Sequence, residues 1–148
     1  MSRMLNILLA YDNDDDVFLL REAFRKSAAE SRLNVVVNGV EVMKYLKGEG
    51  TFSNRDHHPA PDVLLLDLNM PQMNGFEVLK WLKSDPEHQR LVAYILTASS
   101  RKEDIEHAYR LGANGYVVKP TRVDELIAMV AALHNWHRFT ISTKPVKS

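Results

Sequence analysis

Val63-Leu64-Leu65-Leu66-Asp67-Leu68-Asn69-Met70-Pro71 opens as an unbroken apolar run, meets a carboxylate and is stopped by a proline. A short run of this kind reads as a strand buried on both faces. Asn74-Gly75 supplies a second break a few residues on. Strands covered on both faces belong to parallel sheets, and in open α/β sheets ligands and chemistry gather at the carboxyl ends of the strands. Asp67 therefore stands where rigid backbone would present a carboxylate to a reactive partner.

Three other strand ends support the same edge. The first strand candidate, Leu5-Asn6-Ile7-Leu8-Leu9-Ala10, runs into Tyr11-Asp12-Asn13 and then Asp14-Asp15-Asp16. The fourth, Leu91-Val92-Ala93-Tyr94-Ile95-Leu96, ends in Thr97-Ala98-Ser99-Ser100, and the fifth, Gly115-Tyr116-Val117-Val118, ends in Lys119-Pro120. On a parallel sheet these ends share one edge, so Asp12, Asp67, Thr97 and Lys119 can converge. Two anions, a hydroxyl and a cation can hold a divalent metal and a phosphoryl group. Mg²⁺ takes hard oxygen ligands, usually one or two carboxylates with water and phosphate oxygens. A lysine and a hydroxyl can take the remaining phosphoryl oxygens.

Helical patterns alternate with these strands. Asp14 to Asp16 place negative charge at the start of the first helix, and Val17, Leu20, Phe24 and Ala28 form its apolar stripe. Asn38-Gly39 opens the second, which carries Val40, Met43 and Leu46 and stops near Gly48. Gly75 opens the third, with Phe76, Leu79 and Leu82, ending at Ser84-Asp85-Pro86, where the residue before proline disfavours helix. The fourth spans about residues 101–111, with Gly112 as its stop. The fifth follows Thr121, expected as its N-cap with Asp124 three residues on, and shows Leu126, Val130 and Leu133 at helical spacing. Residues 48–61 read as a long polar loop, and the end of the chain, with Pro145, as a fraying tail. Alternating βα units imply a parallel sheet with helices on both faces and right-handed crossovers. The expectation is one doubly wound (flavodoxin-like) domain over residues 1–148, with a core of about 4–137 and a tail of 138–148.

Composition narrows the function. The 148 residues carry 19 Lys and Arg against 19 Asp and Glu, so no basic footprint invites nucleic acid or an anionic membrane. There is no cysteine, which rules out disulfides and thiolate metal sites and is compatible with a reducing compartment. The short apolar run before Asp12 reads as a core strand rather than a signal peptide, and no apolar stretch approaches the ~20 residues of a membrane span. A cytoplasmic protein is expected.

The ordered set Ile7-Leu8-Leu9-Ala10-Tyr11-Asp12-Asn13, Leu64-Leu65-Leu66-Asp67-Leu68-Asn69-Met70-Pro71 with Gly75, Leu96-Thr97-Ala98 and Gly115-Tyr116-Val117-Val118-Lys119-Pro120 resembles the receiver domains of two-component response regulators. The likeness covers roughly residues 4 to 135. The long loop after the second helix looks most like the small regulators paired with bacterial phytochromes. The resemblance implies a five-stranded sheet of order 2-1-3-4-5 with five helices. It makes Asp67 the phosphoacceptor, Asp12 a direct Mg²⁺ ligand and the Asn69 carbonyl a further one. Thr97 and Lys119 would contact the phosphoryl group, with Thr97 and Tyr116 as the switch pair and Lys119-Pro120 as a cis bond. It also implies a signalling module rather than an enzyme, beyond Mg²⁺-dependent uptake and hydrolysis of its own phosphoryl group. The donor would be a sensor histidine kinase or phosphotransfer protein. Output would pass to a downstream protein or a homodimer through the face made by the fourth helix, fifth strand and fifth helix.

One position departs from the family. Two adjacent acids normally follow the first strand, and the first of them is here Tyr11. A phenol of pKa near about 10 is neutral at pH 7 and adds no negative charge, though it can orient a water. Mg²⁺ binding should weaken, and the rival reading is a phosphorylation-independent interaction module that kept the fold. Other readings fare worse. Asp12 to Asp16 begins like an EF-hand loop, but its sixth and twelfth positions would be Val17 and Ala23 instead of Gly and Glu. A haloacid-dehalogenase-type phosphatase would need a Thr or Val where Asp16 stands, and a later acidic pair at a strand end. Asp124 and Glu125 lie inside a helix instead. His57, His58, His134 and His137 read as solvated histidines, and Trp81 and Trp136 as packing or partner-facing residues.

Overall fold

A computed structural model of the chain describes residues 4–27 and 30–139. The expected places of Ala28 in a helical stripe and of the tail beyond residue 139 lie outside the described residues. The elements alternate: β1 (Leu5–Ala10), α1 (Asp14–Lys26), β2 (Ser31–Val36), α2 (Gly39–Lys47), β3 (Val63–Leu66), α3 (Gly75–Ser84), β4 (Val92–Thr97), α4 (Lys102–Arg110), β5 (Gly115–Val118) and α5 (Val123–Phe139). The five strands pair in parallel in the order β2-β1-β3-β4-β5. This is the doubly wound fold the alternation implies.

Period-two alternation splits the core in two. Leu8, Ala10, Leu64, Leu66, Ala93 and Ile95 point to one face and bury against Val42, Leu46, Val78, Leu79 and Leu82 of α2 and α3. Ile7, Leu9, Val63, Leu65 and Leu96 point to the other, against Leu20, Ala23 and Phe24 of α1 and Leu126 and Val130 of α5. Side chains with almost no exposure on both faces explain why β3 reads as continuous rather than alternating apolar sequence.

Local chemistry sets the element ends. Asn13 caps α1 by accepting from the Asp16 amide at 3.0 Å. Asn74 and Glu77 form a reciprocal capping box at the start of α3. Gly112, at φ +100°, ends α4 in a conformation that glycine takes without strain. The expected cap of α5 is corrected. The Leu126 amide bonds the Arg122 carbonyl, so Arg122 rather than Thr121 occupies the N-cap position, and its guanidinium pairs with Asp124 at 2.7 Å. The polar loop holds a 3₁₀ turn, Gly50–Phe52. Arg55 staples that loop to α2, donating to the carbonyls of Tyr45 and Leu46 at 2.8 and 2.9 Å.

The order reverses between β1 and β3, where α/β sheets open a crevice at their carboxyl ends. Two backbone bonds extend the ladders into that crevice, from the Asp67 amide to the Ala10 carbonyl (3.1 Å) and from the Lys119 amide to the Thr97 carbonyl (2.7 Å). Asp67, Thr97 and Lys119 are thus held by sheet geometry rather than by free loops.

Candidate functional site

Asp67 follows β3 directly and is half-buried at the reversal point. Burial pushes its carboxyl above the usual carboxylate range, and the charge of Asp12 pushes the same way. The Thr97 hydroxyl and the amides of Asn69 and Leu68 act against this by donating to the carboxylate. Thr97 itself is buried, at 1% exposure, at the end of β4. Asp12 and Asn69 lie exposed at the mouth of the crevice. Asp12, Asp67 and Thr97 are therefore together at one edge, as the strand ends imply, and Asn69, which the family resemblance adds, lies beside them.

The loop that carries Asn69 is tightly wound. Gln72 has φ +65°, and the Met73 amide bonds the Pro71 carbonyl at 2.7 Å, a γ-turn. Gly75 then brings α3 against the backbone that follows β3. A Cβ there would come within 2.5 Å of the Asp67 carbonyl oxygen and 2.9 Å of the Leu68 Cα. Backbone of this kind cannot yield cheaply. Gly75→Ala is expected to destabilise the fold by about 1–3 kcal/mol, read as a lower midpoint in urea at unchanged m-value.

Lys119 is placed at the expected edge but with a different partner. Its ammonium pairs with the Asp16 carboxylate on the first turn of α1, with side-chain exposures of 16% and 27%. The carboxylates that end β1 and β3, Asp12 and Asp67, would have been the simpler partners from strand order alone. Asp16 and Lys119 are 103 residues apart, so nothing local in the sequence pairs them. Helical geometry was the available signal, since the N-terminal turn of α1 begins at the same sheet edge.

Tyr11 differs in the same sense. Its ring is 2% exposed and belongs to the core between the sheet, α1 and α5, on the side of Ile7 and Leu9. The hydroxyl donates to the backbone carbonyl of Leu96, so the phenol is committed to protein rather than turned out to orient a water. Burial, then the charges of Asp67 and Asp16, push its pKa far above the ordinary phenol value, keeping it a neutral donor.

Tyr116 donates its hydroxyl to the Ser99 carbonyl at 2.8 Å, and the Ser99 amide reaches the Thr97 hydroxyl oxygen at 3.5 Å. A short chain of contacts therefore runs from Asp67 through Thr97 and Ser99 to Tyr116. The described residues contain no cis peptide bond, so Lys119-Pro120 is trans and the cis expectation is corrected. The small trans preference before proline admits either isomer. Among the histidines, His58 packs edge-on against Tyr45 and Phe52, and His134 contacts the Glu30 carbonyl. None lies at the crevice.

Comparison with known proteins agrees with this fold. The sequence profile described as response regulator receiver domain matches residues 7–131. The response regulator Rcp1 of Synechocystis sp. is 31% identical over 136 residues, covering 92% of this chain and 90% of Rcp1. The crystal structure of the phosphorylated cyanobacterial phytochrome response regulator RcpA superposes with a TM-score of 0.84 at 34% identity, covering 97% of this chain and all of that one. The Mn²⁺-bound form of Rcp1 superposes at 0.79 with 31% identity, over 93% and 96% of the two chains. With the profile spanning most of its length and relatives of this identity and coverage, the chain belongs to the response regulator receiver domains of two-component signalling.

Proposed function

We propose that the protein accepts a phosphoryl group on Asp67 from the phosphohistidine of a sensor histidine kinase or phosphotransfer protein, and passes the signal on by binding another protein. The observation that carries this reading is the Asp67 carboxylate, held at the strand end by the Thr97 hydroxyl and two backbone amides beside a second carboxylate, Asp12. One Asp67 oxygen attacks phosphorus, the P–N bond to the donor imidazole breaks and an acyl phosphate forms. Such transfer needs positioning and electrostatic stabilisation more than covalent chemistry from the protein. A cytoplasmic location goes with a kinase donor. Among the described residues no helix is long and apolar enough to cross a membrane.

A divalent cation suits the donor set. Asp12 and Asp67 are close enough for one charge to raise the pKa of the other, while the nearest lysine is engaged with Asp16. Asp12, Asp67 and the Asn69 carbonyl would hold Mg²⁺, which when bound neutralises charge on the phosphoryl oxygens. The buried Tyr11 supplies no third carboxylate. That is the observation behind the rival reading of a phosphate-independent module. Incubation with acetyl phosphate and Mg²⁺, read by intact mass, decides between the two: one added phosphoryl group supports uptake, and none after prolonged incubation supports the module.

Output would leave by the face of α4, β5 and α5. A hollow of about 330 Å³ there is lined by Tyr94, Leu96, Tyr109, Tyr116, Leu133 and Trp136. Tyr109 and Trp136 are 50% and 62% exposed, apolar area suited to a protein partner or a second copy of the chain. Tyr116 ties this face to the crevice through Ser99. Tyr116→Phe removes one hydrogen bond, worth about 1 kcal/mol. It is expected to leave acetyl-phosphate labelling of Asp67 intact while the labelled and unlabelled protein no longer differ in self-association by sedimentation. A parent-like difference would remove Tyr116 from the route.

A further inference from the structure

We propose that Asp16 is a positioning residue for phosphoryl uptake: it holds the Lys119 ammonium on the α1 side of the crevice, and it must release that ammonium before Lys119 can reach the phosphoryl oxygens. The inference rests on the reading of Asp67 as phosphoacceptor.

Both ends of the pair are anchored. The Asp16 amide donates to the Asn13 side chain at 3.0 Å, fixing the carboxylate on the capped first turn of α1. The Lys119 amide donates to the Thr97 carbonyl at 2.7 Å, and Pro120 follows. What can move is the four-carbon stem of the lysine, a flexible point charge. The pair is only partly exposed, so it is stronger than a solvated surface pair. A phosphoryl group on Asp67 brings new negative charge to the crevice and competes with Asp16 for the Lys119 ammonium. Asp16 thus sets how readily Lys119 is available to the incoming group.

The pair also has a mechanical place. It bridges α1 and the β5–α5 turn at a groove of about 190 Å³ lined by Asp16, Leu19, Lys119, Pro120, Thr121 and Leu126. Transfer of the ammonium from Asp16 to the phosphoryl group would unclasp α1 from that turn. Asp16 also lies near enough to Tyr11 for its charge to raise the phenol pKa, so all three carboxylates, Asp12, Asp16 and Asp67, act on one small volume.

The test has two arms on the full chain. The first needs no phosphate: the rate of reductive methylation of Lys119, followed by peptide mass, in the parent, Asp16→Asn and Asp16→Glu. Loss of a charge-assisted bond is expected to speed Lys119 modification roughly tenfold in Asp16→Asn, while Asp16→Glu keeps it slow. An unchanged rate in Asp16→Asn overturns the inference. The second arm is phosphoryl uptake from acetyl phosphate with Mg²⁺ by intact mass, expected to be roughly tenfold faster in Asp16→Asn. In a Lys119→Gln background the same substitution should bring no gain. An equal gain there would mean that Asp16 acts as bulk negative charge and not through Lys119, which also overturns the inference. If Lys119 modification responds but the parent takes up no phosphoryl group, the phosphoacceptor reading has failed, and the role of Asp16 in uptake falls with it.

Discussion

Asp67→Asn is expected to abolish every phosphoryl or beryllofluoride adduct while raising the unfolding temperature at neutral pH. The two effects come from one geometry. The amide keeps the shape of the carboxylate but lacks its nucleophilic oxygen anion, so acetyl phosphate should leave the intact mass unchanged. The gain in stability follows from burial, which with the charge of Asp12 raises the Asp67 pKa over the opposing bonds from Thr97, Asn69 and Leu68. A carboxyl whose folded pKa is raised contributes stability that is full below its unfolded pKa and lost as pH rises through the folded value. At pH 7 the ionised Asp67 is therefore a cost, and asparagine removes it. The gain should shrink as pH falls through the carboxylate range, where the parent protonates Asp67 itself. An adduct that survives the substitution removes Asp67 from the chemistry; a variant less stable than the parent at pH 7 shows that its bonds outweigh its burial.

What could be read from the chain was whatever the strand order brings together. Asp67 is legible because Leu64 to Leu66 are apolar on both sheet faces and Pro71 stops the run. Thr97 and Lys119 acquire meaning because β4 and β5 end level with β3, and the ladder bonds at Asp67 and Lys119 carry the sheet to those residues. β2 was not located by residue. Ser31–Val36 is an edge strand whose first five residues are only partly buried, so Arg32 and Asn34 interrupt the apolar pattern without breaking the strand. The cap of α5 falls one residue later than Thr121, which matches the usual cap chemistry, because the Arg122 carbonyl takes the first helical bond. The Arg122 guanidinium, having no acceptor to offer the free amides, pairs instead with Asp124 and Glu125.

Side-chain direction was harder to read than position. The edge that carries Lys119 follows from strand order, but its pairing with Asp16 rather than Asp12 or Asp67 depends on how α1 leaves the sheet. Tyr11 carried a usable signal that went unread. Alternation along β1 puts Ile7, Leu9 and residue 11 on one face, and that face is the core under α1 and α5. Strand parity alone argues that a large aromatic there packs inward.

That orientation changes what Tyr11→Asp should do. If the phenol faced the metal, the substitution would tighten Mg²⁺ at little expense to the fold. With the ring 2% exposed and its hydroxyl on the Leu96 carbonyl, the same change empties part of the core and unpairs a buried acceptor. Large-to-small replacement of a core aromatic and a stranded carbonyl together cost about 4 kcal/mol or more. The new carboxylate also sits with Asp67 and Asp16, whose charges already act on the phenol it replaces. Its folded pKa should be raised, so the variant should lose most stability at neutral pH and recover part of it in acid. Divalent cation should restore part as well, because a ligand that binds only the folded state stabilises in proportion to RT ln(1 + [L]/Kd). The expected record is a fall in Tm of about 10 °C or more at pH 7 without metal, and a rise on adding Mg²⁺ larger than the parent shows. A Tyr11→Asp protein as stable as its parent without metal would place the phenol outside the core and return Tyr11 to the water-orienting role.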